Sequence, residues 1–381
     1  MKILFIIDNF GSGGAQRQMV NLACGLKGRG HDVAFFIYYP QYSFFREIVE
    51  KAQIPVYDYQ KTTRFSLGVI KSLVGLVRRQ KYDIVLSFLD TPNTYAEISS
   101  LFYSGVKTVV SERSSHRGDK SIIGAHLRRQ LHRLADFIVT NSHSHQAWLQ
   151  SHYSWLSKKC TTIYNGLDVT AFNAVSTYFD DPKSMRLIAI GKVEPVKNAI
   201  NLIRGLACFY QKHGWSPGLS WVGRRTVNNK IGQAYSSQVD DLLEAFPEIK
   251  KQWEWLGERS DIPQLLASHH ALIHPSFYEG LPNVICEALA AGCPVLASRV
   301  CDHELLVEDG RRGYLFDPGS DVDICKAIEQ LAFLDREAWN AMSTAARKYA
   351  KENLSIDSLV DAYERLFRSI IIKKDILSHG K

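Results

Sequence analysis

Residues 274–298 read HPSFYEGLPNVICEALAAGCPVLAS, and this stretch decides the fold. It follows an apolar run at 271–273 that is typical of a buried strand, and it ends in a second such run at 294–297. Pro282 favours the start of a helix between the two runs, and Gly292 favours its end. The stretch therefore predicts a strand–loop–helix–strand unit, which is the building block of a parallel α/β sheet.

Two glutamates flank the start of this helix. Glu279 precedes it and Glu287 lies within it, and because a helix rises about 1.5 Å per residue, one ligand over the helix start can reach both carboxylates. The N–H groups there and the helix dipole favour an anion such as a diphosphate, while carboxylates accept hydrogen bonds from ribose or sugar hydroxyls. The spacing predicts a sugar-nucleotide site, with an ordinary βαβ unit and two solvated glutamates as the equal alternative.

The composition is that of a globular protein with two cores. The chain has 381 residues, of which 45% are apolar and 22% charged, and no apolar run reaches the roughly 18 residues of a transmembrane helix. The run at 2–7 is interrupted by Asp8 and predicts a first strand rather than a targeting segment. The seven cysteines form no CxxC pair, which indicates a reducing, cytoplasmic compartment and argues against a metal site.

Positive charge is concentrated in the first half of the chain. Residues 1–180 carry 21 Lys and Arg against 13 Asp and Glu. An anionic substrate, an anionic membrane surface or nucleic acid fits such an excess, but no nucleic-acid-binding motif accompanies it. The helix predicted at 66–80 and the basic segment at 127–133 are candidates for membrane contact, although an ordinary solvated helix face is the favoured alternative.

The order of the predicted elements indicates two α/β halves. Strand–helix pairs run from residue 2 to residue 164, and a second series begins at residue 186. Residues 171–185 lack periodicity and predict a linker. We therefore predict a first domain at 1–178, a second at 179–355, and a last helix within 356–381 that packs back on the first domain.

Polar residues follow three predicted strands of the first domain. Because the carboxyl ends of parallel strands meet at one edge of a sheet, we expect these side chains to share a rim. A salt bridge or a structural histidine is the alternative for each of them alone. The residues are Asp90 and Asn93 after the strand at 83–89, Glu112, Arg113 and His116 after the strand at 107–111, and Asn141 after the strand at 136–140.

Five motifs together resemble those of the family 4 retaining glycosyltransferases, which have the GT-B fold. The segment from Glu279 to Glu287 is similar to the family's E-x7-E signature. The motifs occur in the family's order over nearly the whole chain, which implies two Rossmann-like, doubly wound parallel-sheet domains facing a cleft. The other four are Gly13-Gly14-Ala15-Gln16-Arg17, Asn165-Gly166-Leu167-Asp168, Gly191-Lys192 with Lys197, and Gly310 with Gly313.

The resemblance implies a donor site for a nucleotide sugar, with UDP as the expected nucleotide. Lys192 and Lys197 are expected to bind the diphosphate, Glu287 the ribose, and Glu279 the donor sugar. Neither a cofactor nor a metal ion is implied, because lysines and helix N–H groups neutralise the leaving group.

The remaining implied donor contacts come from backbone. Gly14 is expected to approach the donor from the other domain. The backbone that should cradle the phosphates belongs to Gly280, Leu281, Pro282 and Asn283. The implied catalytic residues are Glu279, Lys197 and His116.

The segments 87–93 and 111–112 resemble those of bacterial enzymes that add hexose or N-acetylhexosamine to polyprenyl-diphosphate-linked glycans. This implies a role in the assembly of surface polysaccharide, lipopolysaccharide or glycoprotein glycans. The implied location is the cytoplasm or the inner face of the membrane, and nucleic acid is not expected as a partner. A nucleotide-sugar epimerase of the same fold, or a non-catalytic partner subunit, is the alternative. The implied acceptor-side residues are Asp90, Asn93, Glu112, Arg113 and His116.

Overall fold

Every strand in the chain's two sheets lies parallel to its neighbours. The computed structural model describes residues 1–113, 122–225 and 230–378. Within them the chain divides into two units, residues 1–166 with the segment from 356 onwards, and residues 167–355. The α/β class with two Rossmann-like parallel sheets is confirmed.

The first unit alternates strands and helices. The strands are β1 (Lys2–Ile7), β2 (Asp32–Ile37), β3 (Val56–Asp58), β4 (Ile84–Phe88), β5 (Lys107–Glu112), β6 (Phe137–Thr140) and β7 (Cys160–Thr162). The helices are α1 (Gly14–Gly28), α2 (Arg46–Lys51), α3 (Leu67–Gln80), α4 (Asp90–Ser100), α5 (Ile122–Leu131) and α6 (His143–His152). The strand order is β3-β2-β1-β4-β5-β6-β7, so central strands such as β1 are covered on both faces, and β1 is apolar and buried from Ile3 to Ile7.

The second unit repeats the plan. Its strands are β8 (Arg186–Ile190), β9 (Gly218–Val222), β10 (Trp253–Gly257), β11 (Ala271–His274), β12 (Val295–Ser298) and β13 (Gly313–Phe316). Its helices are α7 (Ala199–His213), α8 (Lys230–Ala245), α9 (Pro247–Lys250), α10 (Ile262–Ser268), α11 (Asn283–Ala290), α12 (His303–Val307), α13 (Asp321–Ala332) and α14 (Arg336–Asn353). The strand order is β10-β9-β8-β11-β12-β13.

The last helix, α15 (Ile356–Ser378), belongs to the first unit and packs on α1. The contact is close, because a Cβ added at Gly25 would lie 2.4 Å from the side chain of Val360. Tyr363 and Phe367 are buried in the same core, and Arg29 of the first unit pairs with Asp361 at 2.5 Å. Helix α15 therefore completes the core of the first unit.

The boundary between the units lies earlier than the predicted residue 178. Leu167 N donates to Leu354 O at 2.7 Å, and Ser176 N donates to Ala291 O at 3.1 Å. These bonds attach residues 167–178 to the second unit, although their sequence lacks the periodicity of a helix or strand.

Strands β8 and β11 are neighbours at the centre of the second sheet. The chain leaves β8 towards β9 on one side and leaves β11 towards β12 on the other, so the strand order reverses between them. Open α/β sheets bind ligands at the carboxyl ends of strands at such a switch point. The loops after β8 and β11 are thus the two loops that the fold places for a ligand. Across the described residues, no helix is both long and apolar enough to span a membrane.

Candidate functional site

The loops after β8 and β11 are tied together by hydrogen bonds. Phe277 N donates to Val196 O at 2.9 Å, and the side-chain amide of Asn198 donates to Pro275 O at 3.0 Å and to Pro318 O at 2.8 Å. Asn198 has a φ of 58°, in the left-handed region where asparagine is tolerated better than most side chains. The Asn198 side chain thus fixes the loop that carries Lys197 against the loop that carries Glu279.

Two glycines let the β8 loop lie close to the sheet. A Cβ added at Gly223 would lie 2.0 Å from Gly191 O, so no larger residue fits there. The same carbonyl accepts a hydrogen bond from Trp221 Nε1 at 2.8 Å. A Cβ at Gly191 would approach the aliphatic stem of Lys197 to 3.1 Å, so the missing side chain leaves room for that stem.

Lys197 and His274 both contact one oxygen of the Glu279 carboxylate. Lys197 Nζ lies 2.5 Å from Glu279 Oε1, and His274 Nε2 lies 3.0 Å from the same atom. His274 is buried, whereas the Lys197 and Glu279 side chains are 22% and 16% exposed. Among the described residues no contact is made to Glu279 Oε2. One carboxylate oxygen is therefore bonded within the protein, while the other has no hydrogen bond or ion pair among the described residues.

The protonation states in this cluster follow from burial and charge. Burial raises the pKa of Glu279, but the hydrogen bond from His274 and the charge of Lys197 outweigh it and hold that pKa far below its usual range. Burial lowers the pKa of His274, more than the nearby carboxylate raises it. Glu279 is therefore ionised and His274 neutral at neutral pH. Because a carboxylate only accepts hydrogen bonds, His274 must carry its proton on Nε2.

A second buried histidine lies behind the first. The rings of His303 and His274 are 5.5 Å apart, and His303 Nδ1 donates to Ser298 O at 2.7 Å. His303 Nε2 is buried without a partner among the described residues. Burial is the larger cause and the nearby His274 the smaller cause of a low pKa at His303, which is lowered to about 3. His303 therefore stays neutral in the folded protein.

We expect the free energy of unfolding to fall as the pH is lowered from 7.5 to 5.5. An unfolded histidine has a pKa near 6.5, so at pH 5.5 the unfolded state binds a proton that folded His303 does not bind. This proton uptake lowers the free energy of unfolding by about 1.4 kcal/mol at pH 5.5. His303→Asn keeps a donor for Ser298 O and removes the titration. Urea unfolding at both pH values should show a pH-dependent loss smaller by about that amount in the variant. An equal loss in both proteins would contradict the assignment.

The other predicted donor residues lie around this cluster in the second unit. Lys192 is exposed, and the structure describes no ion pair for it. Helix α11 begins at Asn283, and its N-cap residue, Pro282, provides no side-chain cap. Leu281 and Pro282 are buried, while Gly280 and Glu287 are half-buried. The role of these residues in donor binding therefore stays a prediction.

A cavity of about 600 Å³ adjoins the β8 loop. Its volume is in the range of small-molecule sites. Sequence reasoning missed this cavity, because α8 lies some thirty residues after the β8 loop in the chain and only the folded unit brings them together. Its lining consists of Glu194, Pro195, Val196, Lys230, Ile231, Gly232 and Tyr278.

Two of the predicted acceptor-side residues lie at the start of α4. The Asp90 side chain is half exposed and pairs with Arg128 at 3.1 Å. Asn93 is buried, where it accepts from Ser87 Oγ at 2.7 Å and donates to Ser111 O at 2.9 Å. These bonds connect the ends of β4 and β5, so the contacts of Asn93 are structural and its role towards an acceptor stays a prediction.

Glu112 is buried in a charged cluster. Its carboxylate contacts His132 Nε2 at 2.8 Å, His145 Nε2 at 2.6 Å and Arg129 Nε at 3.2 Å. Burial lowers the pKa of His132, but Glu112 and Glu97 outweigh it and raise that pKa to about 9. Burial raises the pKa of Glu112, but the hydrogen bonds and charges of His132 and His145 outweigh this effect and bring that pKa well below its usual range. The contacts of Glu112 hold α5 and α6 to β5, and its acceptor role stays a prediction.

The other predicted residues of the first unit have different surroundings. The Arg113 guanidinium bonds to the side-chain oxygen of Asn165 and lies 4.5 Å from the centre of the Phe88 ring. His116 lies outside the described residues. Gly14 begins α1, and no described atom lies within 4 Å of a Cβ added there. Packing therefore does not demand glycine at this position, and the donor contact of Gly14 stays a prediction.

Sequence reasoning also missed His274 and His303 as members of the site. The sequence did contain a signal for His274. It follows the apolar run at 271–273 directly and precedes Glu279 by five residues, and the carboxyl end of a parallel strand is where a ligand binds. His303 gave no such signal. It lies five residues after β12, and only the pairing of β11 with β12 brings it beside His274.

Two family models match this chain. The model described as Glycosyltransferase Family 4 matches residues 12–171, and the model described as Glycosyl transferases group 1 matches residues 184–332. The first match covers most of the unit that carries Gly14 and ends five residues into the second unit, and the second match includes the loops that carry Lys197 and Glu279.

Similar proteins match over most of the chain. An N-acetylgalactosamine-N,N'-diacetylbacillosaminyl-diphospho-undecaprenol 4-alpha-N-acetylgalactosaminyltransferase of Campylobacter jejuni is 23% identical over 94% of this chain and 98% of its own length. A UDP-Gal:alpha-D-GlcNAc-diphosphoundecaprenol alpha-1,3-galactosyltransferase of Escherichia coli is 28% identical over 57% of this chain and 56% of its own. The crystal structure of Anabaena HepE in complex with UDP is 21% identical, covers 97% of this chain and 100% of its own, and superposes with a TM-score of 0.79, which shows the shared fold.

Proposed function

This chain is a glycosyltransferase of family 4 with the GT-B fold, and we propose that it transfers a hexose or an N-acetylhexosamine from a UDP-sugar to a lipid-linked glycan. We propose further that the anomeric configuration is retained and that no metal ion takes part. The observation that carries the proposal is the cluster of Lys197, Glu279 and His274 at the switch point of the second sheet.

The cluster fits the chemistry of a departing nucleoside diphosphate. In a half-buried site the Lys197 ammonium stabilises the negative charge that grows on the leaving phosphate. Lys192 and the N–H groups at the start of α11 supply further positive potential. Glu279 Oε2 accepts a hydrogen bond from a hydroxyl of the donor sugar, and Glu287 accepts from the ribose. His274 fixes the orientation of the Glu279 carboxylate.

The choice of UDP and of a lipid-linked acceptor rests on the relatives and on charge. The HepE crystal structure contains UDP, and the names of the Campylobacter and Escherichia proteins specify undecaprenyl-diphosphate-linked glycans. The positive excess within residues 1–180 suits a diphosphate acceptor at an anionic membrane surface. These features favour assembly of a cell-surface glycan.

A panel of UDP-sugars tests the proposal. The protein is incubated with each sugar, with and without a polyprenyl-diphosphate-linked N-acetylhexosamine acceptor, and the products are analysed by NMR. We expect one UDP-sugar to give a glycosidic product with the anomeric configuration of the donor, and only when the acceptor is present. An epimerised sugar formed without acceptor would instead establish the alternative, a nucleotide-sugar epimerase.

We propose that α5 contributes to contact with the membrane. Ile123 and Leu127 lie four residues apart on one face of this helix and are 76% and 63% exposed, and Arg128 follows them. Apolar side chains beside a cation are suited to the interface of an anionic leaflet.

Serine at both Ile123 and Leu127 is expected to reduce binding to vesicles. Burial of each side chain is worth about 1–2 kcal/mol, so the double variant should bind phosphatidylglycerol-containing vesicles at least about tenfold less in sedimentation. The matched control is Ile231→Ser with Leu305→Ser, which removes two exposed apolar side chains of the second unit. Equal sedimentation of the two double variants would contradict this role of α5.

A further inference from the structure

Lys61 is almost buried, and it forms no ion pair with any residue that the structure describes. It is 5% exposed and follows β3 at the carboxyl edge of the first sheet. Its Nζ lies 5.0 Å from the ring centres of Tyr38 and Tyr95 and 5.4 Å from that of Tyr39. The three ring faces attract the ammonium charge, but they accept no conventional hydrogen bond from its N–H groups.

The hydrogen-bonding capacity of Lys61 is unused within the described residues. No described oxygen accepts a hydrogen bond from Nζ. The Asp8 carboxylate interacts with Lys61 electrostatically, but the two form no ion pair. Nζ itself keeps solvent access, so its N–H groups are available to an acceptor on a ligand.

Asp8 and Tyr38 are also incompletely bonded. Asp8 Oδ1 accepts from Asn9 N at 2.9 Å and from Gln16 Nε2 at 3.1 Å, whereas Oδ2 has no described partner. The Tyr38 hydroxyl is buried with no partner among the described residues. The Asp8 Oδ2 acceptor and the Lys61 triple donor are thus left open in one neighbourhood, above the enclosed ring of Tyr38.

These residues come together because of the sheet. Asp8 follows β1, Tyr38 follows β2 and Lys61 follows β3, and these three strands are adjacent. All three residues therefore lie at the carboxyl edge, where α/β sheets bind ligands. Phe65 lies beside them, stacked on Tyr95 with ring centres 5.4 Å apart, and is 49% exposed. It offers an apolar ring face next to the open polar groups.

The mixture of charges selects a neutral ligand rich in hydroxyl groups. The Asp8 carboxylate disfavours a phosphate or a sugar acid, and the Lys61 ammonium disfavours a cation. A sugar hydroxyl both donates and accepts, so one hydroxyl can accept from Lys61 while it donates to Asp8. The apolar C–H face of a pyranose can then pack on the Phe65 ring.

We propose that Asp8, Lys61 and Phe65 form a subsite for a neutral sugar ring of the acceptor glycan, with the buried ring of Tyr38 supporting Lys61 from beneath. The subsite rests on the proposed function for its occupant, because a glycan is the acceptor there. It determines which acceptor is recognised, and none of its members is among the residues assigned to the donor. None of its members was among the acceptor-side residues that the sequence predicted.

The test measures sugar binding without turnover. The probes are methyl N-acetyl-α-D-glucosaminide and methyl N-acetyl-α-D-galactosaminide, observed by saturation-transfer NMR on the full chain. We expect saturation to reach the ring protons of at least one glycoside in the wild type and to fall at least fivefold in Lys61→Met and in Phe65→Ala. The matched controls Lys71→Met and Phe102→Ala change an exposed lysine and a half-exposed phenylalanine of the same unit and should retain it.

Two outcomes overturn the subsite: no saturation transfer to either glycoside in the wild type, or undiminished transfer in both Lys61→Met and Phe65→Ala. Phe65 is half exposed, so Phe65→Ala tests the subsite even if Lys61→Met fails to fold. The readout needs neither donor nor catalysis. Sugar binding with no transfer from any UDP-sugar would therefore refute the proposed function but not the subsite. Transfer from a UDP-sugar with no binding of either glycoside would refute the subsite alone.

Discussion

Replacing Lys197 with alanine is expected to lower kcat/KM for transfer from the UDP-sugar by about 10²–10³-fold. The ammonium lies 2.5 Å from Glu279 Oε1 and is only 22% exposed, so its charge is poorly screened by solvent. The substitution removes the cation that neutralises the leaving diphosphate. It also leaves the Glu279 carboxylate half-buried with only His274 as its partner, which repels the diphosphate.

The control for Lys197→Ala is Lys183→Ala, which removes an exposed lysine of the same unit and should leave kcat/KM within about twofold. Lys197→Arg keeps the charge but changes the geometry, and we expect it to recover only part of the activity. Steady-state kinetics on the three variants check the prediction. If Lys197→Ala and Lys183→Ala had the same kcat/KM, Lys197 would have no role in the transfer.

Glu279→Gln is expected to lower kcat by about 10²-fold while UDP binds at least as tightly as in the wild type. The glutamine keeps the shape of the side chain and an oxygen for Lys197 and His274, but it loses the charge that makes Oε2 a strong acceptor for a sugar hydroxyl. Removing a negative charge near the diphosphate does not weaken its binding. The loss should therefore appear in kcat rather than in the dissociation constant of UDP.

Kinetics and a UDP titration on the same preparations separate these two quantities. Glu337→Gln provides the control, since it neutralises an exposed glutamate at the start of α14 and should change neither value. A Glu279→Gln variant with unchanged kcat, or one whose only defect is weaker binding of UDP, would show that Glu279 does not contact the donor sugar in the way that we propose.

The fold was predictable because local signals agreed with each other. Apolar runs with helices between them indicate parallel strands, and the run before His274 is indeed β11, at the centre of its sheet. The meeting of Lys197 with Glu279 was expected from the family resemblance. Its physical basis, which is the bonding of the Asn198 amide to Pro275 O, depends on a left-handed backbone conformation that the sequence does not reveal.

The direction of polar side chains at strand ends was not predictable. Asn93 and Glu112 both lie where a ligand-facing residue is expected, yet both are buried in bonds within the first unit. Glu112 is held by His132 of the segment after α5 and by His145 of α6, which are distant from it in sequence. Such partners are decided by helix packing, so a strand-end position alone does not distinguish a structural group from a ligand group.

The environment of Lys61 was also not predictable from the sequence. Its three tyrosines come from the end of β2 and from α4, and the sequence around Lys61 shows no motif. A lysine in a loop is ordinarily solvated, and only the folded unit shows that this one is 5% exposed. The candidate acceptor subsite was therefore accessible from the structure alone.

Titration calorimetry of UDP tests the central claim most directly, namely that the loops after β8 and β11 bind the nucleotide of the donor. The wild type and Lys183→Ala are expected to bind UDP at one site with the same affinity, while Lys197→Ala binds at least about tenfold more weakly because it lacks the cation for the diphosphate. Equal affinity of Lys197→Ala and the wild type, or no binding of UDP to the wild type, would contradict the account.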